Sequence, residues 1–366
     1  MLRTKPPFRA DQVGSLLRSA PVKEARTKRA ANEITPAELK AVEDAEIARL
    51  VAKQEAIGLQ AVTDGEFRRS WWHYDFLKGL DGVELVSVAQ GLQFKGTETK
   101  AEGLHVHGRI DFIDHPMIDH FRYLKSVAKA VPKMTIPSPT ALHYRGGRQA
   151  IERSVYREME AFFEDLGRAY TKAVRAFGEA GCTYLQLDEV FVAYLCDPAQ
   201  REYLKGRGDD PDRLLHVYAD LVNAAVAGRT PGMTISMHLC RGNFRSTWMA
   251  QGGYEPVADV LFNKMGVDAY FMEYDSDRAG GFEPLRLLPK NKHAVLGIMT
   301  SKTGALESRD QLKRRLEEAA KFTDFDRLCI SPQCGFASTE EGNLLAEEEQ
   351  WAKLSRCVEV AKEVWR

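Results

Sequence analysis

Apolar positions along this chain follow two patterns that take turns. Short runs rich in Val, Ile, Leu, Met and Phe, ended by polar residues, recur near residues 13, 62, 135, 185, 236, 271, 297 and 330. Between most of them, apolar residues recur every three or four positions, as on one face of a helix. This spacing predicts helices over 35–57, 148–180, 211–226, 257–265, 309–322 and 346–364. In the first, Ala41, Ala45, Ile47, Leu50 and Val51 form a stripe, and Gly58 supplies a C-terminal stop. Residues 80–115 differ. There Val83 and Leu85 flank Glu84, and Leu104 and Val106 alternate with His105 and His107, which predicts a hairpin.

Strands that alternate regularly with helices argue for a parallel sheet. Eight such strands predict an α/β fold of the (β/α)8 TIM-barrel type, a single catalytic barrel over 1–366 with the 80–115 hairpin inserted in its N-terminal half. A doubly wound open sheet is the rival, but no G-x-G-x-x-G follows the first strand. No linker, short repeat or low-complexity tract divides the chain.

Charge narrows the partners. With 51 basic and 52 acidic residues the formal net charge is -1, giving no electrostatic reason to bind nucleic acid or an anionic membrane. No run of 18 apolar residues predicts a membrane span, and Met1 to Ala10 lacks an apolar secretory core. The six cysteines make no disulfide framework, so Cys182, Cys196, Cys329 and Cys357 read as buried thiols in a reduced cytoplasm.

The remaining cysteines stand where chemistry is expected. Residues i and i+2 of a strand share a face, so His238 and Cys240 can aim at one point. In a parallel barrel the active site lies where the strands end at their C-termini. Those ends carry Ser15, Asp64, Glu66, Asp188, His238, Cys240, Glu273, Ser301 and Cys334. Two thiolates, an imidazole and a carboxylate from strands five, six and eight would make a tetrahedral zinc site. Such a site is electron-rich, poor at activating water and suited to ionising another thiol. Each ligand has a plainer role: Cys334 a core thiol, Glu273 a partner for Arg278, His238 a hydrogen-bonded interior histidine. Asp188 and Glu189 could be carboxylates at a helix N-terminus. Four ligand-type residues on three strand ends favour the metal. Trp71-Trp72 is a stacking platform for a flat cofactor or a packed loop. Arg68, Arg69 and Arg241 are carboxylate clamps or solvated surface.

Taken together, the motifs resemble the cobalamin-independent methionine synthase family, especially its short single-barrel members. The stretches are Val13-Gly14-Ser15, Asp64-Gly65-Glu66, Gln186-Leu187-Asp188-Glu189, His238-Leu239-Cys240, Glu273 and Pro332-Gln333-Cys334-Gly335. The resemblance implies zinc-dependent transfer of a methyl group to a thiol such as homocysteine, giving methionine, with zinc held by His238, Cys240, Glu273 and Cys334. It implies that Ser15, Glu66 and Asp188 grip the amino-acid thiol, and that Arg109, after Gly108, matches a segment touching a pterin donor. Full-length synthases carry an additional N-terminal barrel that this sequence does not contain. Three departures touch the donor side: the family's proton-donating histidine falls at Lys302, a folate-stacking tryptophan at Pro139, and a glutamate at Tyr194. The donor is therefore methyltetrahydrofolate-like or a corrinoid. Two alternatives remain: alkyl transfer to another thiol such as coenzyme M from an epoxide or sulfonium compound, and a non-catalytic metal- or pterin-binding barrel. The insertion is a candidate lid or a contact within a homodimer.

Overall fold

The computed structural model describes residues 3–365. Seven strands form one curled parallel sheet, with helices on its outer face. In chain order the strands are β1 (Ala61–Val62), β2 (Asp81–Ser87), β3 (Gln93–Phe94), β4 (Thr97–Glu98), β5 (Glu102–Asp111), β6 (Val131–Pro137), β7 (Tyr184–Glu189), β8 (Thr234–Leu239), β9 (Ala269–Glu273), β10 (His293–Met299) and β11 (Leu328–Pro332). The parallel sheet runs β1-β6-β7-β8-β9-β10-β11, each strand beside its predecessor in the sheet. β7 and β9 are buried at every position, as strands covered on both faces must be, which explains their continuous apolar runs.

The expected strand near residue 13 is an extended segment. It meets β11 through the Ala10–Ile330 bridge and a bond from Asp11 N to Ile330 O of 3.0 Å, and it reaches the loop after β1 through Leu16 N to Gly65 O at 3.1 Å. Between β1 and β6 in sequence, β2 pairs antiparallel with β5, and the short β3 and β4 pair between them.

Local signals set most helix ends. The helix Pro36–Ala56 starts with a capping box, Thr35 with Glu38, and a proline in its first turn. The expected helix over 148–180 is interrupted. Thr140–Gly146 is helical, Gly147 turns the chain at φ +55°, Ile151 bridges to Val106, and the long helix begins only at Met159. That helix buries Phe162, Leu166, Tyr170, Val174 and Phe177 at helical spacing and packs on Pro211–Val226. Each such side chain contributes about 1.5–3 kcal/mol of burial. Three further helices, Ala20–Ala30, Pro116–Val127 and Pro198–Gly206, were not expected from periodicity; each has a proline in its first turn. Among the described residues no helix is long and apolar enough to cross a membrane.

At the end of the sheet where the strands begin, the interior is polar and closed. Lys133 of β6 donates to Gln12 O at 2.6 Å and lies 3.4 Å from Asp11 Oδ1. Its ammonium also sits 3.9 Å from the centre of the Phe271 ring. Asp11 accepts from the Tyr184 hydroxyl at 2.8 Å and from the Gln12 amide at 2.8 Å.

Candidate active site

The sheet register lines up the opposite end. Pro137, Asp188, His238 and Phe271 are successive partners across β6, β7, β8 and β9, so Asp188 and His238 stand side by side. Cys240 follows β8 and Cys334 follows β11, and their sulfurs are 3.5 Å apart. One ligand atom from each of His238, Cys240 and Cys334 lies within 4.8 Å of the others. Tetrahedral Zn–S bonds of about 2.3 Å would put two sulfurs about 3.7 Å apart. The His238 ring is buried with the Cys334 sulfur as its hydrogen-bonding neighbour, which sets a ligand nitrogen beside the two sulfurs. The three residues fit a soft divalent metal such as zinc.

Electrostatics tie this group together. A hydrogen bond from Cys240 holds the Cys334 thiol well below its usual range, against burial, with His238 adding to the effect. The Cys240 thiol is raised by the same bond and by burial. Burial would lower His238, but Cys334, Asp188 and Glu273 together raise it.

Glu273 is at the end of β9 but is not one of the three. Its carboxylate pairs with Arg278, lies 3.3 Å from Lys302 Nζ and accepts from the Arg241 amide at 3.0 Å. It thus occupies the second of the roles its sequence allowed. Burial would raise its pKa, but Lys302, Arg278 and Arg241 bring it down to about 2. Lys302 also pairs with Asp275 at 3.0 Å and does not line the cavity.

A cavity opens beside the sulfurs. Ser15, Glu66, Asp188, Trp71, Trp72 and Tyr194 all line it, with His238, Cys240 and Cys334. Glu66 follows Gly65 in a left-handed backbone conformation (φ +59°), an uncommon state for a non-glycine residue and one that clusters at functional sites. Its side chain pairs with Arg69 and accepts from the Thr135 hydroxyl, and its amide donates to Asp64 Oδ1 at 2.8 Å. Burial raises the Glu66 carboxyl to about 7, although Arg69 pulls the other way. Burial also raises Asp188, opposed by His238 and Arg69. The backbone crowds these groups: a Cβ on Gly14 would lie 2.7 Å from Glu66 Oε1, and one on Gly335 would overlap the Ser15 hydroxyl.

Arg109 is elsewhere. It is exposed and pairs with Asp165 at 2.8 Å. Of the three candidate arginine clamps only Arg69 lines the cavity. Arg68 pairs with Glu43 and Asp44, and Arg241 is buried against Gly252 O, Tyr254 and Ala279 O. Among the wall residues that sequence reasoning missed are Phe94, Arg145, Asn243, Phe244, Ser338 and Thr339. Phe94 belongs to β3 and packs on Phe244 with ring centres 5.4 Å apart, so the segment between β2 and β5 forms part of the cavity wall. Arg18, also missed, is a staple: it donates to Ala337 O, Glu66 O and Arg69 O at 2.7, 2.9 and 3.0 Å, joining two loops at the mouth.

The profile of the family described as "Cobalamin-independent synthase, Catalytic domain" matches residues 8–363. The uncharacterized Bacillus subtilis proteins YxjH and YxjG are 52% and 51% identical to the chain, covering 99% and 100% of it and 96% of each relative. A 5-methyltetrahydropteroyltriglutamate–homocysteine methyltransferase from Bacillus velezensis is 26% identical over 96% of the chain, which spans 42% of that enzyme's length. Among solved structures, a Listeria monocytogenes protein provisionally named a vitamin-B12 independent methionine synthase is 39% identical, with full coverage of both chains and a TM-score of 0.80. A B12-independent methionine synthase from Shewanella, in complex with selenomethionine, shares the fold at 17% identity over 98% of this chain and 97% of that one, with a TM-score of 0.73.

Proposed function

Because the chain belongs to the cobalamin-independent synthase family through its catalytic domain, we propose that it transfers a methyl group from a small donor to a zinc-held thiol such as homocysteine, giving methionine. The observation that carries this reading is the convergence of His238, Cys240 and Cys334, whose ligand atoms all lie within 4.8 Å of one another, with the two sulfurs 3.5 Å apart. His238, Cys240 and Cys334 would hold zinc, and Glu273, at the neighbouring strand end, is the fourth candidate. Bound there, zinc would favour the ionised, nucleophilic form of a substrate thiol at neutral pH.

The chain's own groups supply position. Glu66 and Asp188 offer buried carboxylates beside the sulfurs, suited to an α-ammonium group, and Ser15 adds a hydroxyl at the same wall. An ammonium docked there would favour the charged form of Glu66, offsetting the burial that raises it. In the transfer, the donor–methyl bond breaks as the sulfur–methyl bond forms; the thiol has lost its proton, and the donor's leaving atom gains one. Lys302, held by Asp275 and Glu273, is the candidate reservoir for a proton on that side. Holding both reactants in one enclosed cavity is where proximity contributes most.

The fold reading can be carried one step further on the same terms. Residues 8–16, bonded to β11 on one side and to the loop after β1 on the other, would fill the eighth place of a (β/α)8 barrel comprising the whole chain.

The test is zinc content together with mass detection of the methylated thiol. Wild-type protein is expected to hold one zinc and to methylate homocysteine with at least one small donor, whereas Cys240→Ser loses both. Methyl transfer by a zinc-free Cys240→Ser variant refutes the reading. Tight zinc binding with no product from folate, corrinoid, sulfonium or epoxide donors would instead mark a non-catalytic barrel.

A further inference from the structure

The buried carboxyl of Glu66 borders two cavities. One is the cavity beside the sulfurs. The other is bounded by the loop after β1, by β6 and by the helix Pro116–Val127. Only Glu66 and Arg69 line both, so this ion pair is the partition between them. Thr135 of β6, whose hydroxyl donates to Glu66 Oε1, lines the second cavity and not the first.

The second cavity suits water better than an ionic ligand. About 140 Å³ of it is open to the centres of water-sized spheres, room for several molecules. Its charges neutralise one another: Arg69 pairs with Glu66, Lys78 with Asp75 at 3.1 Å, and Arg68 with Glu43 at 3.2 Å and with Asp44. Its rim reaches solvent, since Lys78 and Pro116 are exposed.

His120 lines this cavity, half-buried. Its ring takes part in no hydrogen bond or ion pair among the described residues. Asp64 connects it with Glu66: Asp64 Oδ1 accepts from the Glu66 amide at 2.8 Å, and its charge acts on the His120 ring. Burial lowers the His120 pKa, helped by Arg68 and His115 and opposed by Asp64 and Asp119. The imidazole is therefore neutral near neutral pH and able to take up a proton.

Glu66 needs such an acceptor. Burial raises its carboxyl to about 7, with Asp188 and Asp64 adding to the rise and Arg69 and Thr135 opposing it. Near neutral pH it is thus partly protonated. An ammonium docked beside it favours the carboxylate, so the proton has to leave. The first cavity is then filled by the substrate and walled by the rings of Trp71, Trp72, Phe94 and Phe244, none of which accepts a proton.

We propose that the second cavity is a water-filled proton port for Glu66, with His120 as the relay at its mouth. The Glu66 O–H bond breaks, its electron pair stays on the carboxylate, and the proton passes through water to the free ring nitrogen of His120. The imidazolium then returns it to solvent at the rim. His120 acts through Glu66 and does not touch the substrate. The proposal rests on reading Glu66 as the seat of the substrate's ammonium, but the port operates with or without turnover.

The experiment is a laser pH jump on the zinc-loaded full chain. Photolysis of 2-nitrobenzaldehyde takes the sample from about pH 8 to about pH 7, across the range in which Glu66 titrates. Infrared absorption follows the protonated carboxyl, assigned by its loss in Glu66→Gln. Saturating 4-(methylthio)butanoate, which is methionine without its ammonium, fills the first cavity, and each variant is measured with and without it. The wild-type rate is expected to be the same in both conditions. His120→Gln should slow protonation about tenfold at unchanged final amplitude, and imidazole in solution should restore it. Met117→Trp, which narrows the second cavity, should slow it without rescue. The proposal is overturned if the analogue stops protonation of the wild type, since the proton would then travel through the first cavity. It is also overturned if either variant keeps the wild-type rate, or if imidazole does not rescue His120→Gln. Failure of the methyl-transfer reading would appear separately, as wild-type protein without zinc or methylated thiol whose Glu66 band still responds through His120.

Discussion

The two ends of the parallel sheet both bury polar groups and treat them in opposite ways. Where the strands begin, Lys133, Asp11 and Tyr184 satisfy one another and the backbone, with bonds of 2.6 to 3.4 Å. Where the strands end, Trp71 Nε1 and Asn243 Oδ1 are buried with no partner, and two thiols face each other beside His238. A buried donor or acceptor left unmade costs about 1–3 kcal/mol, so a fold does not accumulate them without a use. The first end pairs its charged groups internally, leaving Gln12 Oε1 as the exception, and acts as structure. The second is completed only by something that enters it.

The largest effect should come from removing a sulfur at the incomplete end. Cys240→Ser or Cys334→Ser is expected to abolish stoichiometric zinc and to lower methyl transfer by about 10³-fold or more, with little change in the melting temperature of the metal-free chain. Zinc analysis and differential scanning calorimetry on the same samples check both halves. A large loss of metal-free stability would mean that the two ends do not differ as described.

The converse change is next in size. Lys133→Met leaves Asp11 buried without its cation and is expected to destabilise the chain by about 3–5 kcal/mol, as breaking a buried pair does. Below the transition it should bind zinc and thiol as the wild type does. Urea unfolding combined with zinc analysis tests this, and loss of zinc in the folded variant would break the contrast between the ends.

Glu66 gives a smaller effect with a definite sign. Burial raises its folded-state pKa from 4.5 to about 7. Below pH 4.5 both states hold the proton and the residue is neutral to stability. As pH rises from 4.5 to about 7, the unfolded chain releases that proton first, so the folded state loses stability by up to about 3 kcal/mol. Asp188, raised for the same reason, adds to the fall. Glu66→Gln should flatten this part of the curve in urea melts of the metal- and substrate-free protein. An unchanged slope would place the carboxylate in solvent-like surroundings.

Most of the frame was legible because parallel strands buried on both faces read as unbroken apolar runs. The expected strands near 62, 135, 185, 236, 271, 297 and 330 all coincide with strands of the parallel sheet. His238 and Cys240 were legible as a pair because strand geometry alone puts them on one face. What escaped depended on contacts that sequence spacing does not encode. The stretch Arg145-Gly146-Gly147 hid a chain reversal at Gly147, so the short helix Thr140–Gly146 before it was not expected. Arg109 sits on β5 but meets Asp165 from a distant helix, a contact with no local signal. The helices at 116 and 198 did leave a signal that periodicity overlooked, His115-Pro116 and Asp197-Pro198, each a capping residue followed by proline.

Lys302 sharpens the boundary between the two kinds of polar group, because it is partnered and yet lies next to the incomplete site. Its ammonium is shared between Asp275 at 3.0 Å and Glu273 at 3.3 Å, and Glu273 is also held by Arg278 and the Arg241 amide. If Lys302 serves only as counter-ion, Lys302→Met frees Glu273 toward the metal site, and zinc affinity should rise about tenfold with turnover unchanged. If it also supplies a proton to the donor side, the same variant should lose about tenfold or more in kcat while homocysteine affinity stays the same. The proposed mechanism predicts both changes together, tighter zinc and slower turnover. Chelator competition measures the first and single-turnover kinetics the second. Unchanged turnover would move Lys302 out of the reaction and into the group of residues that hold Glu273.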